Sequence, residues 1–391
     1  MASLGFSVDL LLLIAVFTTI FVYLLYPLVL LALKFFRRSK RNIKNGITLP
    51  KISIIVPTYN EARVIESKLV SLLNISYPRS LYEIIVVDSG SSDGTWNLVK
   101  KFEDRGVTVL RQEKRMGKAN AINFALKESN GEIIAISDAN STFGPDALGS
   151  LVKEFGNDVG GVAPRICPHS GASAWDRLFH WVHHVLKTLE SNVDSVFFAS
   201  GKLFAFRKML ITEIDENAAA DDLEIVLAIR RRKYKIKYAP DVKVTEKTPA
   251  TQGEAKIQRV RRAFGVLQAM RRNMAFLFNP TFGSYGLIIF PTHFLQVSFQ
   301  PFLIFYLLVA MSMKMIRIVE HLNVTGLYFV VIFFSVFLGL MILSKQLKKI
   351  CSVGYNFLAT QFYIVLAISD FVQRKTYRLW KKVPSTRDTL S

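Results

Sequence analysis

Residues 51–93 read KISIIVPTYNEARVIESKLVSLLNISYPRSLYEIIVVDSGSSD, and this stretch decides the fold. It contains two apolar runs, Ile52–Val56 and Tyr82–Val87, and each run ends at a polar turn. Between the runs, apolar residues from Val64 to Leu73 recur at the spacing of an amphipathic helix. A strand, a helix and a strand in this order predict one βαβ unit of a parallel sheet.

The C-terminal ends of these two strands mark the expected ligand site. In parallel α/β sheets ligands bind beyond such ends, which here are residues 57–61 and 88–93. Asp88 and the Ser/Gly-rich loop after it lie where a nucleotide would be held. Many reactions use this unit, so it predicts a nucleotide-type domain and leaves the chemistry open.

The same alternation continues further along the chain. It predicts strands at 107–110, 133–137 and 160–164, with helices at 92–104, 117–128 and 145–155. This is the pattern of a mostly parallel sheet covered by helices on both faces. In the less regular second half we expect helices at 174–190, 221–232 and 254–272, a strand pair within 197–206, and strands at 234–238 and 242–246.

The composition and the charge-free runs indicate a membrane protein. Of the 391 residues 51% are hydrophobic, which is high for a soluble protein. The charge-free runs that are candidates to cross a bilayer as helices are Leu10–Leu33, Leu287–Met313, Leu322–Leu343 and Cys351–Ser369. The basic cluster within residues 34–44 places the polar region in the cytoplasm by the positive-inside rule.

We therefore expect four parts. These are a transmembrane anchor with a basic juxtamembrane segment (1–45), a cytoplasmic globular domain (46–279), transmembrane or interfacial helices (280–373) and a basic tail (374–391). If the run 351–369 crossed fully, the basic residues of 374–382 would lie outside, against the same rule. We expect three crossings, with 351–373 shallow or re-entrant and the C-terminus in the cytoplasm of a multi-pass cell-membrane protein.

The net charge of +20 raises the question of nucleic-acid binding. Much of the basic excess lies next to the hydrophobic runs, where it would face anionic headgroups, and no nucleic-acid-binding signature is present. Two cysteines, Cys167 and Cys351, give no disulfide framework, as expected in a reducing compartment. The histidines at 180, 183 and 184 have metal-site spacing, but their tryptophan-flanked helix is more typical of a membrane surface.

Three polar motifs could carry chemistry. Asp138-Ala139-Asn140 follows a strand, where a carboxylate either ligates a divalent ion or caps the next helix. Asp221 and Asp222 open a helix, as its dipole favours, or they include a general base. Gln258 and Arg261 share one face of a basic helix that rests on headgroups or grips a pyrophosphate.

Taken together, these stretches resemble the family 2 glycosyltransferases, the group that includes cellulose, chitin and hyaluronan synthases. The resemblance rests on VPTYNE (56–61), VVDSGSSDGT (86–95), the Lys118 and Asn120 stretch, Asp138-Ala139-Asn140, the loop 197–201, Asp221-Asp222, Gln258–Arg262 and YRLWKKVPSTR (377–387). It implies a GT-A-like α/β domain with a Rossmann-like nucleotide-binding half, joined to all-α transmembrane segments.

The resemblance also implies roles for individual residues. Asp222 would be the catalytic base, and Asp138 with Asn140 would hold Mg²⁺ or Mn²⁺. The residues that would bind the donor are Pro57, Tyr59, Glu61, Asp88, Lys118, Asp138, Gln258 and Arg261. The residues on the acceptor side would be Ser200, Gly201, Asp221 and Arg262.

Three departures from the family pattern affect these expectations. Asn140 stands where the family has a second Asp, Asp221 where Glu is usual, and Arg262 where the family has Trp. An indole offers a growing glycan a flat apolar surface, whereas arginine suits phosphate or carboxylate. We therefore expect transfer of one sugar per acceptor, with a lipid-linked or otherwise anionic acceptor. If Arg262 merely faces headgroups, another aromatic such as Phe264 would stack the acceptor.

The expected protein is a membrane-bound, metal-assisted, inverting glycosyltransferase that uses a nucleotide-diphosphate sugar and a lipid-linked or glycan acceptor, with a membrane partner subunit left open. Processive polysaccharide synthesis and polyprenyl-phosphate sugar synthesis are the alternatives within this class. A sugar nucleotidyltransferase and a transporter are the alternatives outside it. The transporter is disfavoured because few polar residues lie in the hydrophobic runs.

Overall fold

The computed structural model describes residues 2–36, 49–321, 344–379 and 383–387, with the isolated positions 326, 328, 332 and 335. The expected crossing at 322–343 therefore lies outside the described residues apart from those isolated positions. Most of the basic cluster at 34–44 and residues 380–382 and 388–391 of the tail also lie outside them.

The polar region forms one eight-stranded sheet in the order β3-β2-β1-β4-β7-β6-β8-β5. The β3-β2-β1-β4 half and the β6-β8 pair are parallel, whereas β7 and β5 run antiparallel to their neighbours. The strands are β1 Ile52–Thr58, β2 Tyr82–Ser89, β3 Val107–Gln112, β4 Ile133–Ile136, β5 Thr142–Phe143, β6 Val159–Pro168, β7 Phe204–Arg207 and β8 Lys235–Glu246. The predicted mostly parallel α/β sheet is confirmed.

Helices cover both faces of this sheet, as predicted. Successive side chains of a strand point to opposite faces, so Ile55 and Ile85 join one core whereas Ile54 and Ile84 join the other. The helices of the domain are α3 Ile65–Leu73, α4 Thr95–Lys100, α5 Lys118–Glu128, α6 Ala147–Lys153, α7 Ala174–Val193, α8 Asp221–Arg231 and α9 Gln252–Arg272. Helices α5, α7 and α8 pack in the first core, and α3, α4 and α6 pack in the second.

Two local predictions were wrong. The stretch 197–206 is not a strand pair, because only β7 is regular and Gly201 uses its backbone amide and carbonyl to bond Asp222 and Asp138 instead of a neighbouring strand. The stretch 234–246 is one strand and not two. Its register against β6 skips from Ala239 to Lys243, and a bulge of this kind accommodates Pro240, which has no amide hydrogen to donate.

Among the residues that the structure describes, three helices are long and apolar enough to cross a membrane: Leu10–Phe36, Gln300–Glu320 and Lys345–Val372. The first consists of α1 (Ala2–Ile20), a π-helical turn (Phe21–Leu25) and α2 (Tyr26–Phe36). The other two are α11 (Gln300–Glu320) and α12 (Lys345–Val372).

The expected single crossing at Leu287–Met313 was wrong in its bounds. The run is divided at Phe299 into α10 (Phe290–Ser298) and α11. Pro301 lies in the first turn of α11, where a residue without an amide hydrogen is tolerated. Helix α10 buries Phe290 and His293 against the α/β domain, so the membrane-crossing candidate begins only at Gln300.

A buried carboxylate joins the first candidate membrane helix to the α/β domain. Glu190 of α7 accepts a hydrogen bond of 2.8 Å from the Tyr26 hydroxyl of α2, and the same oxygen lies 2.7 Å from Nε2 of His293 on α10. Its other oxygen accepts from the amide of Phe197 at 2.9 Å. Three helices and the loop after α7 therefore meet at one side chain.

Helix α12 is continuous over its 28 residues. A re-entrant segment must turn back within its length, so the re-entrant form of our expectation was wrong. The helix packs along α9 and α7 of the catalytic domain, and it buries Asn356 and Gln361. A shallow position at the membrane surface stays a prediction.

Candidate functional site

A cavity of about 420 Å³, called here the central cavity, lies at the C-terminal edge of β1 and β4. Its walls come from the ends of these strands, the loop 198–202, the start of α8, and faces of α7 and α9. Every predicted site residue except Asp88 lines it. These residues are Pro57, Tyr59, Glu61, Lys118, Asp138, Asn140, Ser200, Gly201, Asp221, Asp222, Gln258, Arg261 and Arg262.

Asp88 lies beneath the cavity and does not line its wall. Its side chain is fully buried at the end of β2, one residue before Ser89, which does line the cavity. Oδ2 accepts a hydrogen bond of 3.2 Å from the amide of Ser91. Oδ1 has no hydrogen-bond partner within the described part of the chain, so one buried carboxylate oxygen is left for a donor from another molecule.

Asp138 follows β4 and is held by two lysines. Lys118 Nζ lies 2.9 Å from its Oδ1, and Lys202 Nζ lies 3.7 Å from its Oδ2. Burial alone would raise the pKa of Asp138, but the two ammonium groups outweigh burial and hold that pKa well below its usual range. Asp138 is therefore a fixed negative charge at the cavity wall.

Asn140 is held between the same lysine and the C-terminal segment. Its Oδ1 accepts a hydrogen bond of 3.2 Å from Lys202 Nζ, and its Nδ2 donates at 2.9 Å to the carbonyl of Thr386. Lys202 also lies 3.8 Å from Oε1 of Glu246. A single ammonium group thus lies among three side chains that each present an oxygen.

The two acidic residues at the start of α8 differ in their contacts. Asp221 Oδ2 lies 3.2 Å from Lys118 Nζ. Asp222 accepts backbone hydrogen bonds from Gly201 at 3.1 Å and from Leu223 at 2.9 Å. Burial, and next the charge of Asp221, raises the pKa of Asp222. The affinity of Asp222 for protons is therefore increased, a property that suits a general base.

Helix α9 contributes a basic wall. Gln258 and Arg261 line the cavity one turn apart, and burial lowers the pKa of Arg261 to about 10. Arg262 Nη2 lies 2.9 Å from Oε1 of Glu246, so its charge is already matched by a carboxylate. Phe264 is buried against Tyr377 and Phe371, and it is not among the residues that line the cavity.

Sequence reasoning missed the wall that α7 forms. Phe179, His183 and Lys187 line the cavity at four-residue intervals, opposite Phe198. The sequence pattern favours a membrane-surface helix here, and the four-residue spacing already places these three side chains on one face. Its function could not be found because Phe198, which completes the wall, comes from a separate loop.

The C-terminal segment 383–387 also reaches the site. Arg387 lies 3.0 Å from the buried Glu61, and Thr386 lines the cavity. Upstream, Arg378 donates to the carbonyl of Met116 at 3.1 Å. Asn120, in contrast, is not among the cavity-lining residues and bonds Gln112 and Glu216 at a separate groove.

The residues present fit a hard divalent ion. Asp138 and Asn140 offer a carboxylate and an amide oxygen, and a cationic group already lies between them. Mg²⁺ typically takes one or two protein carboxylates and completes its shell with substrate phosphates and water. No group of three His, Cys, Asp or Glu side chains suited to a metal occurs among the residues that the structure describes, so substrate oxygens would have to complete the shell.

Comparison with known proteins agrees with this geometry. A family model described as Glycosyl transferase family 2 matches residues 53–215. A probable glycosyltransferase, YdaM of Bacillus subtilis, is 28% identical over an alignment of 256 positions, and the match covers 59% of this chain and 60% of that protein. The poly-beta-1,6-N-acetyl-D-glucosamine synthase of Staphylococcus aureus (strain COL) is 28% identical over an alignment of 246 positions. This match covers 60% of this chain and 59% of that protein. The chain thus spans about 60% of the length of these relatives.

The overall architecture also has a solved counterpart. The mannosyltransferase PcManGT from Pyrobaculum calidifontis, solved in complex with GDP-Man and Mn²⁺, superimposes with a TM-score of 0.71. It is 24% identical and covers 93% of this chain and 100% of that chain. At this identity the likeness concerns the fold, and it extends over the helices beyond the sheet as well as the sheet itself.

Proposed function

We propose that this chain, whose residues 53–215 match the Glycosyl transferase family 2 model, is a glycosyltransferase that transfers one sugar from a nucleotide-diphosphate sugar to a membrane-associated acceptor. The observation that carries the proposal is that Asp138 and Asp222 line one cavity with residues of α10 and α12, including Val297 and Ile364. Nucleotide-side carboxylates and apolar side chains of C-terminal helices therefore share a single site.

The donor would lie over the end of β1 and β2. We assign its diphosphate to the basic side chains Lys118 and Arg261 with the amide of Gln258. The unpartnered Oδ1 of Asp88 beneath the floor is suited to accept a hydrogen bond from the nucleoside. Pro57, Tyr59 and Glu61 form the wall beside it.

Asp138 and Asn140 would hold a divalent ion, either Mg²⁺ or Mn²⁺. When bound, this ion would neutralise charge that develops on the departing diphosphate. The structural counterpart was solved with Mn²⁺, which supports a divalent requirement for this fold. Since Lys202 contacts both side chains, it must release them when an ion binds.

Asp222 would act as the base. It would take the proton of an acceptor hydroxyl while that oxygen bonds to the anomeric carbon, and the bond from this carbon to the diphosphate would break with its electrons leaving on the nucleotide. Attack opposite the leaving group inverts the anomeric configuration. Its hydrogen bonds from Gly201 and Leu223 fix the direction in which the carboxylate points.

We also propose the location and the domain division given by the sequence. The catalytic domain (46–279) lies in the cytoplasm between an anchor (1–45) and the C-terminal helices (280–373), with a basic tail (374–391) after them. Residues 383–387 contact the catalytic domain through Asn140 and Glu61. This supports a C-terminal segment on the same side as the domain, in a multi-pass membrane protein.

A processive synthase is the second candidate. One relative is named as a polysaccharide synthase, and Trp175 and Phe179 line the cavity, where aromatic faces could stack sugar rings. Against it, Arg262 stands in the place of the family's Trp and is engaged by Glu246.

The test is donor turnover by the purified full chain across a panel of nucleotide-diphosphate sugars, read as release of the nucleoside diphosphate. We expect one donor to be preferred, EDTA to abolish turnover, and Mg²⁺ or Mn²⁺ to restore it.

Asp138→Asn should lower turnover by at least about a hundredfold, since it removes the charge that supports the leaving diphosphate. Asp158→Asn, in an exposed ion pair with Lys235, is the matched control and should be unaffected. Full activity in EDTA would reject the proposed role of a divalent ion. The absence of turnover with every donor in the panel would reject the proposed glycosyl transfer.

A further inference from the structure

Lys187 differs from the other two lysines of the central cavity. Lys118 and Lys202 each lie within 4 Å of carboxylates. Lys187 is only 7% exposed, yet it has no hydrogen bond or ion pair in the part of the chain that the structure describes. Its close partner there is the ring of Phe198, 4.0 Å from Nζ.

Burying an ammonium group without an acceptor is costly. The cost shows in the pKa of Lys187, which burial lowers to about 8. The nearby carboxylates Glu190, Asp222 and Glu246 oppose this shift, but Glu190 is bonded to Tyr26 and His293, and Glu246 lies against Arg262. A lysine kept in this position at such a cost is suited to bind an anion from another molecule.

The aromatic side chains beside Lys187 on this wall carry no charge. His183, one turn earlier on α7, lies between the rings of Phe179 and Phe198. Burial first, and then Lys187, lowers the pKa of His183 to about 3, so this ring carries no charge near neutral pH. The anion would therefore find one cation in an apolar wall.

The wall continues onto a helix that is apolar enough for a membrane. Trp175 of α7 lies edge-on to Phe357 of α12, with ring centroids 6.4 Å apart. Ile364 of α12 and Val297 of α10 line the same cavity, and α12 is a candidate membrane helix. Asp222 also lines the cavity, and its charge acts on Lys187.

We propose that Lys187 binds the phosphate of an amphiphilic acceptor that carries its reactive hydroxyl beside that phosphate, with the hydrocarbon chain against α12. This inference rests on the proposed glycosyl transfer, and it names the acceptor class as an anionic lipid with a polyol headgroup. The hydroxyl faces Asp222 and takes the sugar as described above, while the phosphate remains unchanged.

The experiment uses the full chain in neutral phosphatidylcholine nanodiscs with its preferred donor. Lysophosphatidylglycerol is the probe, and 1-monolauroylglycerol is the neutral comparison lipid, which presents the same terminal diol without the phosphate. Glycerol phosphate, which has no chain, distinguishes a lipid headgroup from a free phosphate. We expect the KM for lysophosphatidylglycerol to be at least about tenfold below that of either comparison compound, the scale of one charge-assisted hydrogen bond.

Lys187→Met should remove this preference, Lys187→Arg should keep most of it, and the exposed Lys256→Met should leave it unchanged. Nucleotide affinity and the thermal unfolding temperature show whether Lys187→Met stays folded with an intact donor site. If Lys187→Met unfolds, the comparison of the two lipids and the Lys187→Arg variant still test the inference. An equal KM for both lipids in the wild type overturns it.

Equilibrium binding of lysophosphatidylglycerol, measured without a donor, separates the two proposals. If no donor is turned over but this lipid binds in a Lys187-dependent manner, the proposed function fails and the anion site stands. If donors are turned over while monolauroylglycerol or glycerol phosphate is used equally well, the function stands and the anion site fails.

Discussion

The side-chain amide of Asn140 donates a hydrogen bond of 2.9 Å to the backbone carbonyl of Thr386. The proposed metal-binding loop is thereby joined to the C-terminal segment, and the residue that makes this bond is the one that departs from the family's second Asp. The Asn140 amide can donate to the C-terminal segment, but it offers a metal ion no negative charge, as a carboxylate would. We expect the two roles to be separable.

Asn140→Asp should lower the metal concentration needed for half-maximal activity several-fold, because a second carboxylate attracts the ion. It should also loosen residues 383–387, because a carboxylate cannot donate to Thr386. Metal titration and hydrogen exchange of this segment measure the two effects. Asn140→Ala is the control and should loosen the segment without improving metal binding. Tighter metal binding by the alanine variant would contradict the assignment.

Asp222→Asn should lower transfer by at least about 10²-fold, the scale of losing a general base, with donor affinity little changed. Asp221→Asn should lower it less. Because the charge of Asp221 helps to raise the pKa of Asp222, its removal should lower that pKa. The base would then stay ionised to lower pH, and the acid limb of the pH–rate profile should move downward. A larger loss in Asp221→Asn would identify Asp221 as the base.

Lys68 lies fully buried behind Asp138, with its ammonium bonded to Ser137 and Ser141. Burial lowers its pKa to about 7, whereas an unfolded lysine titrates near 10.4. Between these pH values the unfolded chain binds more protons, so the free energy of unfolding should rise with pH. Lys68→Met should flatten this rise in thermal unfolding between pH 7 and 10, and the exposed Lys101→Met should not. An unchanged slope in Lys68→Met would mean that Lys68 folds in its charged form.

The side of the membrane can be tested at the C-terminus. With Cys167 and Cys351 replaced, a cysteine placed at Ser391 should resist an impermeant thiol reagent on intact cells and react after permeabilisation. A cysteine at Met209, which is exposed on the catalytic domain, should behave in the same way. If intact cells allow labelling at position 391 but not at position 209, the tail and the domain lie on opposite sides of the membrane and the proposed topology is rejected.

Product length tests the single-transfer proposal. Arg262 is engaged by Glu246, and Phe264 is buried away from the cavity. We therefore expect one sugar per acceptor even with donor in large excess, as seen by sizing the products. Arg262→Trp, which restores the family residue, should permit longer products if stacking is what is missing. A ladder of long chains from the wild type would favour the processive alternative.

The sequence was sufficient for the sheet and for most of the cavity because both follow from local patterns. Asp138 and Asp222 stand at element ends that periodicity locates, and the resemblance supplied their expected roles.

The sequence was insufficient where segments that are distant along the chain meet in the fold. Lys187 looked like one polar residue on an amphipathic helix until Phe198 was placed above it, and the contact between Arg387 and Glu61 joins opposite ends of the chain. The division at Phe299 could have been anticipated from Pro301, but the burial of His293 depends on Glu190.

The meeting of Tyr26, His293 and Glu190 has a consequence for which acceptors can be served. A catalytic domain on a flexible tether could reach groups at many depths, but here the anchor helix, α10 and α7 are fastened together at one carboxylate. If these helices cross a bilayer as proposed, the fold would fix the distance from Asp222 to that bilayer. The proposed enzyme would then glycosylate an acceptor only when its hydroxyl lies at that height. Each added sugar would move the new terminal hydroxyl of the acceptor away from that height, so the geometry itself would end the reaction after one transfer.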